Sequence, residues 1–271
     1  MTATTKAVIL ARGLGTRMRQ ADAAAELSAA QVAVADAGMK AMIPIGRPFM
    51  DHLLSGLADG GLTDVCLVLG PEHESVRTYY RDLVTHRVRV HFAVQESPDG
   101  TAGAVAAVEP FAGGDTILVL NGDNFYPIAA CRNLAAIGTA GVVGFAIDGL
   151  VAKGNIPRER VRQFALLQVG ADGRLATVIE KPDEATYVAL VAHSLVSMNL
   201  WSFTPTIFDA CRRVTPSARG ERELVDAVRI AISEFGEPFT VVHSDDGVLD
   251  LSSRGDIESV SRVLRDRPVY L

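Results

Sequence analysis

The residues best suited to chemistry fall in short segments that combine glycine with charged or amide side chains. The first is Leu10-Ala11-Arg12-Gly13-Leu14-Gly15-Thr16-Arg17. Glycines let a backbone approach phosphate oxygens closely and offer its N–H groups as donors. Arg17 adds a guanidinium fork suited to phosphate. An ordinary strand–helix turn would read the same way. The segment is no dinucleotide fingerprint, because Met18 stands where GxGxxG needs its third glycine, and no GxxxxGK[ST] occurs. The second segment starts at Lys40 and carries Pro44 and Pro48 into a helix start. Lysine occurs only at positions 6, 40, 153 and 181 in an arginine-rich chain. A compact ammonium at Lys40 suits a phosphate in a way that arginine does not, although a surface lysine is the commoner case.

Further along, Gln95-Glu96-Ser97-Pro98-Asp99-Gly100-Thr101 joins a strand to a helix. An amide at Gln95 can both donate to and accept from a base edge, and Gly100 leaves room for a flat ring. Thr101 could equally be the N-cap of its helix. Leu118-Val119-Leu120-Asn121-Gly122-Asp123-Asn124 sets a carboxylate at the end of a buried strand. Such a charge needs a partner, and Mg²⁺ on triphosphate oxygens is a natural one, since Mg²⁺ takes only one or two protein carboxylates. An Asx-turn that simply ends the strand is the alternative. Ile179-Glu180-Lys181-Pro182 closes another strand, where adjacent Glu and Lys would point to opposite faces. Asp250 follows an apolar run, precedes a helix capped by Ser252 or Ser253, and could complete a Mg²⁺ site with Asp123. Asp256 reads as a first-turn acid favoured by the helix dipole.

Positioning these segments requires an alternation of strands and helices. Apolar, β-branched patterns predict strands over 6–10, 64–69, 87–94 and 116–120, with helices over 22–37, 48–59, 72–83 and 101–108. The second half predicts strands over 142–147, 163–169, 175–180, 194–203 and 239–243, a hairpin turn at Asp172 and Gly173, and helices over 205–213, 221–235 and 253–265. The fold class is therefore α/β: a Rossmann-like, mixed but mainly parallel sheet flanked by helices, with a smaller antiparallel lobe. Ligands sit at the carboxyl ends of strands in such sheets, where the unusual residues fall. No linker divides the 271 residues, so they read as one domain with two halves, about 1–140 and about 141–271.

Composition narrows the function classes. Apolar residues make up 48% and charged ones 21%, enough for a sizeable core. A net charge of −6 argues against a nucleic-acid partner. No apolar run approaches membrane-spanning length, and the run after Lys6 is too short for a signal peptide. The three dispersed cysteines suggest neither zinc nor a disulfide framework. A cytoplasmic protein is expected, and none of its six histidines falls in a motif.

Taken in order from Lys6 to about Ile257, the segments resemble the sugar-phosphate nucleotidylyltransferases, the family of glucose-1-phosphate thymidylyl- and uridylyltransferases and mannose-1-phosphate guanylyltransferases. The resemblance implies an NTP and a phosphorylated small-molecule acceptor, with Mg²⁺ as cofactor. By the family's pattern Leu10, Ala11, Gly13, Gly15, Thr16 and Arg17 would cradle the triphosphate, and Gln95, Gly100 and Thr101 would hold the base. Asp123 and Asp250 would bind Mg²⁺; Arg17, Lys40, Asp123 and Lys181 would carry the transfer. Glu180 would meet acceptor hydroxyls, Lys181 the acceptor phosphate, and Asn124 and Asn199 would line the acceptor pocket. Relatives often assemble, which leaves a homo-oligomer open.

Departures from the pattern bear on substrate choice. The connector from Arg17 to Lys40 is longer than usual, owing to the Ala-rich stretch 22–37. Arg12 replaces a common glycine, and Asn199 another near the acceptor. The implied activity is transfer of an NMP group to a sugar-1-phosphate with release of pyrophosphate. The alternatives are a non-sugar phosphate or phosphonate acceptor, and a non-catalytic nucleotide-sugar-binding subunit. A nicotinamide oxidoreductase is disfavoured by the missing third glycine.

Overall fold

The computed structural model describes residues 2–217 and 220–271. Strands β1 (Lys6–Leu10), β2 (Asp64–Leu69), β3 (Arg89–Val94) and β4 (Ile117–Asn121) run parallel, with β1 between β4 and β2 and β3 beyond β2. Their side chains alternate between two cores. Ala7, Leu67 and Leu118 enter one, and Val8, Cys66 and Val119 the other. Burial on both faces is why β1, β2 and β4 read as apolar runs, whereas the edge strand β3 is partly exposed and carries Arg89 and His91.

The later strands β5 (Gly141–Phe145), β6 (Ala165–Val169), β7 (Leu175–Ile179), β8 (Leu195–Phe203) and β9 (Thr240–Ser244) complete a nine-stranded sheet. Strand β8 is the seam, antiparallel to β4, β5 and β6. Its pairing with β5 shifts register between Ser197 and Trp201, where Asn199 adopts φ +56°. This bulge turns the Asn199 side chain out to solvent, with its Oδ1 accepting from Trp201 Nε1 at 3.4 Å.

A third, smaller core joins the loop after β1 to the C-terminal helix Asp256–Leu264. Met18, Ala35, Leu251 and Ile257 meet there. Arg254, 8% exposed, donates from Nε to the Met18 carbonyl at 2.8 Å and forms an ion pair with Asp36. The helix that follows the loop, Thr16–Arg19, is thus anchored from the far end of the chain.

Several expectations change. The helix over 22–37 shortens to Ala29–Asp36, because Ser28 and Gln31 form a reciprocal capping box that starts it late. Neither Ser252 nor Ser253 caps the last helix. It begins at Asp256, whose Oδ2 accepts from the backbone N–H groups of Ser252 at 3.1 Å and Ser253 at 2.8 Å. Strand β5 ends at Phe145, and a helix, Ile147–Lys153, starts where the strand was expected to continue. A further helix, Ile128–Ile137, lies between Pro127 and Gly138 and belongs to no expected element. No helix among the described residues is long and apolar enough to cross a membrane.

Candidate functional site

The carboxyl ends of β4, β1, β2 and β3 lie side by side, and the chain leaving each of them bends into one cleft. Gly122 N–H donates to the Leu10 carbonyl at 2.9 Å, Ala11 N–H to Val68 at 3.0 Å, and Gln95 N–H to Leu69 at 2.9 Å. These bonds bring the first, third and fourth motifs together around a cavity of about 430 Å³. Leu10, Ala11, Gly13, Thr16, Lys40, Gln95, Gly100, Thr101 and Asp123 all line it. Gly15 stands behind the lining. At φ +63° it presses the loop onto Gly38, and a Cβ there would meet the Gly38 oxygen at 2.3 Å.

The cleft is electrostatically mixed. Lys40 Nζ pairs with Asp123 Oδ2 at 2.9 Å, both side chains partly exposed. Gln95, 7% exposed, donates from Nε2 to Asp99 Oδ1 at 3.0 Å and to the Gly100 carbonyl at 2.9 Å. Gly100 has φ +108°, and a Cβ on it would meet the Arg222 oxygen at 2.4 Å. Thr101 is not the N-cap of its own helix; Gly100 holds that position, and Thr101 Oγ1 accepts from Leu224 N–H at 2.9 Å. Arg12, standing where a glycine was expected, donates from Nε to Glu72 at 3.2 Å and bonds the Gln95 carbonyl. It therefore ties the ends of three strands.

His73, which lies in none of the sequence motifs, also lines the cleft. Its Nδ1 accepts from Gly70 N–H at 3.2 Å. Burial holds its imidazole below the ordinary value, Arg12, Arg77 and Arg19 add to this, and Glu72 opposes it. No glycine or strand end marks His73 in the sequence. It is the N-cap residue of the helix Glu74–Asp82, whose Val76 also lines the cleft.

Arg17 does not line this cleft. It opens instead onto a second, basic pocket with Arg162, Gln163, Lys181, Pro182 and Glu184. Strand β7 ends at Ile179, so Glu180 and Lys181 lie beyond it and the expected opposite-face alternation does not apply. Lys181 takes φ +42°, an unusual conformation for a lysine directly before a proline. Glu180 is exposed to solvent. Desolvation by the protein around it raises its carboxyl above the ordinary range, while Lys181 opposes this.

Three expected acceptor residues stand apart from both pockets, Glu180 among them, since only its neighbour Lys181 lines the basic one. Asn124 is 2% exposed and donates from Nδ2 to Asp250 Oδ1 at 2.9 Å. Asn199 is the exposed bulge residue of β8.

Asp123 and Asp250 are neighbours through the main chain. Asp250 pairs with Asn124 in a two-stranded ladder, and Leu251 N–H donates to the Asp123 carbonyl at 2.8 Å. Asp123 presents a carboxylate to the cleft, which fits Mg²⁺ held by one carboxylate and substrate phosphates. The Asp250 side chain is 4% exposed, and its oxygens take an ion pair from Arg160 and bonds from Asn124 and Ser252. A carboxylate is a suitable donor for Mg²⁺, but both oxygens of Asp250 are already engaged and it does not line the cleft. Among the described residues no cluster of three or more His, Cys, Asp or Glu forms a metal cage.

A family model described as nucleotidyl transferase matches residues 6–247. The chain is 27% identical to a UTP–glucose-1-phosphate uridylyltransferase, AglF, from Haloferax volcanii, over 96% of this chain and 97% of that protein. It is 26% identical to the low-salt glycan biosynthesis nucleotidyltransferase Agl11 of the same organism, over 84% of this chain but only 57% of that one. Against a glucose-1-phosphate thymidylyltransferase from Streptomyces antibioticus the identity is 29%, over 83% of this chain and 56% of the relative. Among solved structures, a UDP-glucose pyrophosphorylase bound to UDP-glucose superimposes with a TM-score of 0.74 at 16% identity, covering 98% of this chain and all of the other. At that identity the likeness speaks for the fold.

Proposed function

The chain belongs to the nucleotidyl transferase family, and from that premise we propose that it transfers an NMP group from an NTP to a sugar-1-phosphate, releasing pyrophosphate. One observation carries the reading: Thr16 and Arg17 are consecutive, yet Thr16 lines the glycine-rich cleft and Arg17 the basic pocket that holds Lys181. A nucleotide in the first and an acceptor phosphate in the second would meet at one turn of backbone.

In that arrangement Gln95 and Gly100 hold the base, and the loop at Gly13 and Thr16 follows the triphosphate. An acceptor phosphate oxygen forms a bond to the α-phosphorus. The bond from that phosphorus to its bridging oxygen breaks, and the electron pair leaves with pyrophosphate. A phosphate monoester near neutral pH is already a nucleophile, so no protein base is needed. Lys181 orients the acceptor, Arg17 neutralises charge at the junction, and Lys40 sits beside Asp123 to do the same. Mg²⁺ held by Asp123, with Asp250 as second ligand, would supply further neutralisation of the phosphates and alignment of the leaving group.

A second reading keeps the chemistry and changes the acceptor to a non-sugar phosphate or phosphonate. Asn124 and Asn199 both lie off the basic pocket, whose lining is mostly ionic, and this favours an acceptor recognised by charge. The test is pyrophosphate release with each common NTP against a panel of sugar-1-phosphates, alcohol phosphates and phosphonates. Asp123→Asn is expected to lower turnover about 10²- to 10³-fold with an unchanged melting temperature. Near-normal turnover in that variant would remove Asp123 from the chemistry.

A further inference from the structure

We propose that Arg160 is the resident counter-ion of Asp250, that it leaves this carboxylate when a divalent cation binds beside Asp123, and that it thereby sets the affinity for that cation. The inference rests on the reading above, in which Asp123 and Asp250 share one cation.

A carboxylate as buried as that of Asp250 cannot stay ionised without a partner. Arg160 supplies one, and its own side chain is 18% exposed. The two acids of the ladder region are thus neutralised in the same manner, Asp123 by Lys40 and Asp250 by Arg160. A guanidinium and a divalent cation on one carboxylate repel each other strongly in a site so poorly hydrated, so Arg160 must yield when the cation arrives.

The structure provides a place for it to go. Arg160 Nη1 already donates to Asp256 Oδ1 at 2.7 Å. Asp256 is fixed through its other oxygen by Ser252 N–H, Ser253 N–H and Ser253 Oγ, the last at 2.8 Å. A guanidinium that releases Asp250 therefore keeps a charged partner and needs only a small rotation. The main chain has no reason to move: Asn155 clamps Asp250 on both sides, with Asp250 N–H donating to its Oδ1 at 2.7 Å and its Nδ2 donating to the Asp250 carbonyl at 2.9 Å. Arg160 also shares the short helical turn Arg158–Gln163 with Arg162, which lines the basic pocket. The displaced side chain thus lies on the same turn as an acceptor-facing cation.

The experiment measures Mn²⁺ binding to the full chain, without nucleotide, by electron paramagnetic resonance, in the native protein and in Arg160→Gln, Arg160→Lys and Asp250→Asn. Arg160→Gln is expected to bind Mn²⁺ about tenfold tighter or more, with Arg160→Lys near the native protein and Asp250→Asn weaker. Arg160→Gln binding no tighter, while Asp250→Asn binds weaker, overturns the proposal and leaves the shared-cation reading standing. Native-like binding by Asp250→Asn overturns that reading as well. A measurement on the native protein guards against a variant that misfolds. In the ¹H–¹⁵N spectrum of arginine Nε–H groups, the signal lost in Arg160→Lys is expected to shift on titration with Mg²⁺. A stationary signal overturns the proposal.

Discussion

Lys181 and Arg17 come from different halves of the chain: Arg17 lies in the first turn of the helix Thr16–Arg19, and Lys181 just beyond the end of β7. Lys181 is held in the left-handed region at φ +42°, immediately before Pro182. Such backbone strain persists where the surroundings impose it, and it clusters at functional sites. In the proposed reaction Lys181 meets the acceptor and not the nucleotide. Lys181→Gln is therefore expected to raise the acceptor KM about 10- to 100-fold, the equivalent of losing one charge-assisted hydrogen bond, while the NTP KM stays within about twofold. Steady-state kinetics with each substrate varied in turn would check this, and an equal rise in both constants would count against two separate pockets. The guanidinium of Arg17 near the two glycines was legible as a phosphate-binding group, whereas the role of Lys181 was implied by the family resemblance. Their meeting was not legible. Some 160 residues separate them, and only the folded sheet brings β7 and the first loop to one pocket.

At the scale of elements, the glycine-rich turn owes its shape to the insertion that follows it. Gly15 contacts Gly38, which ends the segment containing the helix Ala29–Asp36, and Arg254 bonds both the Met18 carbonyl and Asp36. The Ala-rich stretch is thereby part of the wall behind the turn. Gly15→Ala introduces a Cβ at 2.3 Å from the Gly38 oxygen and a side chain at positive φ. The φ strain alone costs about 1–2 kcal/mol. The variant is expected to melt several degrees lower and to bind NTP more weakly, as read by thermal unfolding and by nucleotide titration. Unchanged binding would mean that the Gly15–Gly38 contact does not shape the nucleotide site. The strands β1, β2 and β4 were legible because burial on both faces leaves an apolar run. The helix start at Ser28 could have been found from Ser28 and Gln31 as a capping box. The bulge at Asn199 and the ion pair of Arg160 with Asp250 could not. One depends on β8 bridging three neighbours, the other on a contact across 90 positions of sequence.

For the whole molecule, the two cores on either face of the sheet hold the three cysteines, Cys131 in one and Cys66 and Cys211 in the other. All are free and buried. Burial pushes each thiol up to about 12. The reactive thiolate is accordingly scarce at neutral pH in the folded protein and becomes available only on unfolding. Alkylation by iodoacetamide at pH 8 is expected to be negligible for the folded protein and to appear with the unfolding transition in urea. Rapid modification of one cysteine below that transition would show that its core opens locally. The same sheet aligns the cleft and the basic pocket on one edge, so that a phosphate in each would approach the other across the Thr16–Arg17 link. The most direct test of this account follows the oxygen that the acceptor contributes. With the NTP and sugar-1-phosphate that support turnover, the acceptor phosphate is labelled with ¹⁸O and the products are examined by ³¹P NMR. The account requires ¹⁸O in the bridge of the new diphosphate and unlabelled pyrophosphate. Label in the pyrophosphate, or a bridge without it, would contradict attack by the acceptor phosphate on the α-phosphorus.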